Sequence, residues 1–136
     1  MYNDDLYAYA ENNRITLKNM YVPVVKSFAM LICGDEYIVM DEQAMENSAE
    51  ERTHLAHELG HCETGAFYDV DAPEQVRSKA EAQATRWAVK KLIPKKEFEV
   101  LLKKGLQRWE LAEHYNVTED FIQQAYHLYY ECGMVS

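Results

Sequence analysis

Two histidines enclose a glutamate in the segment His57-Glu58-Leu59-Gly60-His61. On an α-helix, side chains at i and i+4 lie one above the other on the same face. His57 and His61 would therefore direct their imidazoles toward one point, as two ligands of a single metal ion must. Glu58 would lie about 100° around the helix from His57, where a general base for a metal-bound water is expected. This H-E-x-x-H pattern predicts a metal-dependent hydrolytic site with Glu58 as the catalytic base.

The flanking residues predict that this segment lies on a helix. Ser48 and Glu51 are spaced as a capping box, in which Ser48 is the N-cap and Glu51 reaches back from the third helical position. Gly65 supplies a stop signal, so the helix is predicted to span about residues 49–63. The metal-binding pattern is thus predicted on the secondary structure that its spacing requires.

A catalytic zinc site usually has three protein ligands and one open position. The candidates for the third ligand are His54, Glu63, Asp69, Asp71, Glu74, Glu81, His114 and His127. Glu81 is the strongest, because its small alanine neighbours would let its helix pack closely against the helix of the two histidines. His54 is weaker, because a third ligand from the motif helix itself would leave the metal poorly enclosed. Simple solvent exposure is the alternative for any glutamate on a helix.

The composition predicts one globular domain. The chain has 136 residues and is 48% hydrophobic, enough for one sizeable core. Apolar runs such as residues 28–33 are too short to span a bilayer, and no export signal is recognisable, so a cytoplasmic location is expected. The cysteines Cys33, Cys62 and Cys132 lack C-x-x-C spacing, which favours a reducing compartment. Cys62 is predicted to be a small buried residue rather than a ligand.

The charge distribution argues against a nucleic-acid-binding surface, which needs a positive field. The net charge is −9. Residues 90–108 are an exception, with seven Lys or Arg against Glu97 and Glu99. A solvated helix face is the prediction for this strip, and a docking site for an acidic partner is the alternative.

A β-hairpin is predicted shortly before the motif helix. Residues 27–33 and 36–40 are strand candidates, and Gly34-Asp35 forms the turn between them. A sheet edge beside the metal would allow an extended peptide to add as an extra strand.

Five further helices are predicted from capping residues and helix breakers. They are a helix over 4–13 capped by Asn3, one from Asp71 and Pro73 to about Leu92 or Ile93, one over 95–104 closed by Gly105, one over 106–115, and one from Thr118 to about Glu131. The predicted fold is therefore α+β: a mostly helical single domain over residues 1–136, with a small antiparallel hairpin or sheet beside the motif helix. The H-E-x-x-H segment on that helix makes the prediction zincin-like. Its core would span residues 1–94, and a helical segment would span residues 95–136.

The segment from Glu81 to Pro94 resembles the second motif of the ImmA/IrrE metallopeptidase family, approximately E-x-x-A-[ND]-x-F-A-x-x-L-L-M-P. Glu81, Ala84, Ala88, Leu92 and Pro94 match, Trp87 stands for the aromatic residue, and Ile93 stands for Met. Thr85 departs from the usual Asn or Asp, so a hydrogen bond that Asn or Asp would make from this position to a metal ligand is not expected in the same form. Together with the H-E-x-x-H segment and the tail around residues 111–117, the resemblance covers roughly residues 48–130.

This resemblance implies a gluzincin-like site in which Glu81 completes the set of His57 and His61 around Zn²⁺. It also implies a protein substrate, a DNA-binding helix-turn-helix repressor that often belongs to a mobile element or a stress regulon. Glu58 would take a proton from the zinc-bound water during attack on the peptide carbonyl and pass it to the leaving amine. Tyr68 and His114 are candidates for a donor to the oxyanion, although a loop aromatic and an ordinary histidine are the alternatives.

Two other classes of function compete with the peptidase. Residues 111–125 have the apolar spacing of a helix-turn-helix, but residues 109–136 carry five acids and no Lys or Arg, which would repel phosphate. A non-catalytic anti-repressor that binds its partner with structural zinc, or without zinc, is the second alternative. Structural zinc usually has four Cys or His ligands, so two His and one Glu favour an open catalytic site. Zinc hydrolysis of a small molecule is a minor third possibility.

Overall fold

The computed structural model describes residues 3–131, and Cys132 lies outside this range. Within it the fold is α+β and mostly helical, as the sequence predicts. The elements in chain order are α1 (Asp4–Asn12), β1 (Thr16–Asn19), β2 (Ser27–Ile32), β3 (Asp35–Met40), a 3-10 turn (Glu42–Ala44), α2 (Ser48–Thr64), α3 (Glu74–Leu92), α4 (Lys95–Lys103), α5 (Arg108–Tyr115), α6 (Glu119–Tyr126) and a π-helical turn (His127–Glu131). No helix in this range is long and apolar enough to cross a membrane.

The predicted hairpin is confirmed as the antiparallel pair β2–β3. Its turn consists of Cys33 and Gly34 rather than Gly34 and Asp35, and both residues have positive φ angles, 52° and 84°, as in the two-residue turns that match strand twist. The sheet has a third strand that was not predicted, because β1 pairs with β3 in parallel. The strand order β1-β3-β2 makes the sheet mixed rather than antiparallel and leaves β2 at one edge.

The predicted capping box of α2 is wrong by one residue. Asn47 is the N-cap, and its side-chain oxygen accepts a hydrogen bond from the backbone N–H of Glu50 at 2.8 Å. Glu51 does not turn back to Ser48, because its carboxylate accepts hydrogen bonds from the side chains of Asn3 and Tyr7. The helix end at Gly65 is confirmed, with φ at 69°.

The start of α3 also differs from the prediction. Pro73 rather than Asp71 occupies the N-cap position, and it makes no side-chain cap. The end of α3 at Leu92 is as predicted, since Pro94 follows. Thr118 caps α6 as predicted, with its hydroxyl accepting from the N–H of Phe121 at 3.1 Å.

Helix α2 lies at the centre of the core. Its residues Leu55, Ala56 and Leu59 are fully buried between the sheet, α1 and α3. The apolar residues that gave the C-terminal helices their helix-turn-helix spacing are also buried, namely Leu111, Val117, Phe121, Ile122 and Ala125. That pair of helices therefore uses its apolar face for packing, and the pair of α2 and α3 carries the residues predicted to do chemistry.

Candidate metal centre

Helices α2 and α3 bring together two imidazoles and one carboxylate. The Nε2 atom of His57 lies 2.7 Å from Oε1 of Glu81, and the Nε2 atom of His61 lies 3.2 Å from Oε2. One ligand atom of each residue lies within 4.8 Å of the others. Among residues 3–131, this is the group of His, Cys, Asp and Glu with the geometry to hold a metal ion. None of the other described third-ligand candidates joins the pair.

Both imidazoles also make a contact through Nδ1, the ring nitrogen that does not face Glu81. The Nδ1–H of His61 donates to the carbonyl of Ala66 at 2.6 Å, and Nδ1 of His57 lies 3.2 Å from the hydroxyl of Thr85. Contacts of this kind orient metal-binding histidines, and here they leave Nε2 of each ring directed at Glu81. Burial lowers the pKa of His61, but its hydrogen bonds to Glu81 and Ala66 outweigh that effect and leave the pKa raised.

The Glu81 carboxylate is kept charged by its partners. Burial raises its pKa, but hydrogen bonds from His57, His61 and Tyr68 outweigh burial and hold the pKa well below its usual range. The hydroxyl of Tyr68 donates to Oε2 of Glu81 at 2.6 Å, and this hydrogen bond is the main reason that the pKa of Tyr68 is raised to about 12. The second candidate for an oxyanion donor, His114, lies on α5 near Glu97 and does not line this site.

The donor set fits a divalent metal, because two imidazole nitrogens and a carboxylate converge and a fourth position can stay open. The family model of the IrrE N-terminal-like domain, peptidase family M78, matches residues 36–127, well over half of the chain. The chain belongs to this ImmA/IrrE metallopeptidase family. Membership implies a metallopeptidase, and the resemblance seen in the two sequence motifs is confirmed. No curated protein and no solved structure matches the chain.

In this M78 peptidase, Glu58 is buried next to His57, His61 and Glu81, the candidate ligand group, with only 6% of its surface exposed. Burial raises its pKa, against the opposing effects of the nearby histidines and a hydrogen bond from Ser27. The Ser27 hydroxyl lies 2.8 Å from Oε2 of Glu58 and 2.7 Å from Nδ1 of His54. The sequence alone does not predict a role for Ser27. The one local pattern that relates to it is the spacing of His54 and Glu58, which are four residues apart and share one helix face.

A groove of about 770 Å³ opens over Glu58 and the ligand group. One wall is the edge strand β2, and the other walls come from α2, the loop between α2 and α3, and α6. Seven of its lining side chains are apolar, namely Val25, Phe28, Ala29, Met30, Phe67, Val70 and Phe121. The groove is therefore large enough for several residues of an extended peptide.

Thr85 stands where the family motif has Asn or Asp, and its hydroxyl oxygen lies 3.2 Å from Nδ1 of His57. Replacing Thr85 with valine, which has the same shape but no hydroxyl, is expected to weaken metal binding by about 10- to 100-fold. Thr85→Ser keeps the hydroxyl and should bind metal nearly as well as the wild type. A competition titration with a chromophoric chelator measures both affinities. Equal affinities for the valine variant and the wild type would show that Thr85 does not orient His57.

Proposed function

We propose that the chain is a zinc-dependent endopeptidase in which His57, His61 and Glu81 bind Zn²⁺ and Glu58 is the general base. The observation that carries the proposal is the convergence of both Nε2 atoms on the Glu81 carboxylate, beside a buried glutamate in an open groove. Catalytic zinc sites of hydrolases use two imidazoles, one carboxylate and an open position.

The protein residues have distinct parts in the reaction. A bound zinc ion would supply Lewis acidity, which makes a water more acidic and polarises a carbonyl. Glu58 accepts the proton of the attacking water, and burial, which raises its pKa, favours this proton uptake. Glu58 next donates this proton to the leaving amine. Tyr68, whose hydroxyl already lies at the ligand group, is the best-placed candidate to donate to the carbonyl oxygen in the transition state.

The proposed substrate is a DNA-binding repressor of the helix-turn-helix type. The family supports a protein substrate, and the resemblance described above supports the repressor. The net charge of −9 suits a basic partner. The chain itself is not proposed to bind DNA, because the apolar face of the α5–α6 pair is buried and residues 109–131 carry five acids without a Lys or Arg.

Metal analysis combined with cleavage tests the proposed function. The purified chain is expected to hold one zinc per molecule and to cut a repressor encoded beside it. A chelator should stop cleavage, and added zinc should restore it, because Lewis acidity is needed for attack on a peptide bond. Mass spectrometry of the products would identify the bond that is cut. Stoichiometric zinc alongside an intact repressor would contradict the peptidase and support the anti-repressor alternative.

A further inference from the structure

Ser27 links the candidate general base to a third histidine outside the ligand group. This serine is the first residue of β2 and is only 5% exposed. Its Oγ atom lies 2.8 Å from Oε2 of Glu58 and 2.7 Å from Nδ1 of His54. His54 itself is not among the residues that could hold the metal, so this contact needs a different explanation.

The number of available protons sets the direction of both hydrogen bonds. Glu58 is ionised when it acts as a base, and an ionised carboxylate can only accept, so the single hydroxyl proton of Ser27 is donated to Glu58. The serine oxygen must then act as the acceptor toward His54, which requires that Nδ1 of His54 carry a hydrogen. The hydrogen bonds therefore run from His54 to Ser27 and from Ser27 to Glu58.

The backbone around Ser27 is firmly attached to the rest of the molecule. Ser27 pairs with Met40 across the β2–β3 ladder. The ammonium group of Lys26, the preceding residue, lies 2.8 Å from the carboxylate of Glu50. Glu50, His54 and Glu58 are spaced four apart and share one face of α2. Residues 26–27 thus contact three successive turns of that face, and these contacts restrain Ser27 beside Glu58.

We propose that Ser27 is a positioning residue for the general base, and that His54 holds the Ser27 hydroxyl in its donating orientation. The hydrogen bond to Oε2 fixes the plane of the Glu58 carboxylate and therefore the direction of Oε1. A general base must be held within hydrogen-bond reach of the proton that it takes. This inference rests on the proposed role of Glu58, and it adds that the β2 strand, which forms one wall of the groove, also orients the base.

Kinetics of three serine variants test this role. Ser27→Ala is expected to lower kcat by about 10- to 100-fold, the effect of losing a hydrogen bond to a charged group. KM and zinc content should stay close to the wild-type values, because Ser27 is not proposed to bind substrate or metal. Ser27→Thr keeps the hydroxyl and should restore most of kcat. Ser78→Ala is the matched control, since the Ser78 hydroxyl also donates to a glutamate, Glu74, but on the exposed surface.

A second measurement is independent of cleavage. Long-range ¹H–¹⁵N spectra of the zinc-loaded chain report which ring nitrogen of His54 is protonated, and a His54→Gln variant assigns the signal. The wild type is expected to carry the hydrogen on Nδ1, and Ser27→Ala should lose this preference. A hydrogen on Nε2 alone in the wild type would overturn the proposed chain of hydrogen bonds.

The outcomes separate this proposal from the proposed function. Wild-type kcat in Ser27→Ala, measured with an active wild-type enzyme, would overturn the positioning role and leave the peptidase intact. An inactive, zinc-loaded wild-type chain would overturn the peptidase and the positioning role together. If Ser27→Ala lost zinc, Ser27 would be needed for metal binding rather than for orienting Glu58, and the proposal would be overturned.

Discussion

Glu58→Gln is expected to abolish most peptide cleavage while zinc remains bound. Glutamine has nearly the shape of glutamate, and its amide oxygen can still accept the hydrogen bond from Ser27. It cannot take a proton from an attacking water. General acid–base catalysis contributes about 10²- to 10⁴-fold to enzymatic rates, so kcat should fall by an amount in this range. Steady-state kinetics and metal analysis of the same preparation measure the two effects separately.

Two control variants make this result specific. His57→Ala removes a proposed ligand and should lose both zinc and cleavage, because the carboxylate of Glu81 and one imidazole form an incomplete site. Glu11→Gln changes an exposed glutamate on α1 and should leave both unchanged. Normal cleavage by Glu58→Gln would exclude Glu58 as the general base. Zinc loss in Glu58→Gln would instead indicate that this residue supports the metal.

The convergence of the two histidines could be predicted because the spacing of residues along a helix determines which side chains share a face. Residues four apart on a helix face the same way, so His57 and His61 had to converge once their helix was recognised. The position of Glu81 could not be predicted from helical spacing alone, because Glu81 lies on another helix. The run of small residues around Glu81 predicted the close packing of the two helices, and the family motif supported the same choice. The role of Glu81 as a ligand stays a prediction until a metal is measured.

Features that depend on distant parts of the chain could not be predicted. Asn47 and Ser48 are both competent N-caps. The Ser48 hydroxyl donates instead to Asn116, and the Glu51 carboxylate accepts from Asn3 and Tyr7, all far away in sequence. Strand β1 is only four residues long and pairs in parallel with a non-consecutive strand, so no local pattern marks it. The contact between Ser27 and Glu58 joins residues 31 positions apart. Each of these is a consequence of tertiary packing rather than of local preference.

The helix crossing at Gly60 explains how α3 comes close enough for Glu81 to reach both histidines. A Cβ atom at position 60 would lie 2.3 Å from the backbone oxygen of Ala84 and 2.9 Å from its Cα. These are backbone atoms, so a side chain at position 60 can be accommodated only if the helices separate. Glu81 lies one turn before Ala84 on α3, and its carboxylate would move with the helix away from His57 and His61.

Gly60→Ala is therefore expected to destabilise the fold and to weaken metal binding together. Alanine alone would favour the helix by about 1 kcal/mol relative to glycine. Overpacking costs about 1–3 kcal/mol and occasionally more. A contact of 2.3 Å with a backbone oxygen places Gly60→Ala at the upper end of that range, so we expect a net loss of about 2 kcal/mol. Urea unfolding of the metal-free chain measures this loss, and a chelator competition measures zinc affinity. Gln83→Ala, on the exposed side of α3, should change neither.

A double variant distinguishes a backbone clash from a side-chain clash. Ala84→Gly removes the Cβ of residue 84 but leaves its carbonyl and Cα in place, so it should not rescue Gly60→Ala. Rescue would show that the side chain of Ala84, rather than its backbone, limits the approach of the helices. A Gly60→Ala chain that is more stable than the wild type and binds zinc equally well would contradict the close crossing itself. In that case the position of Glu81 would need another explanation, because the helix separation is what sets the distance between its carboxylate and the two imidazoles.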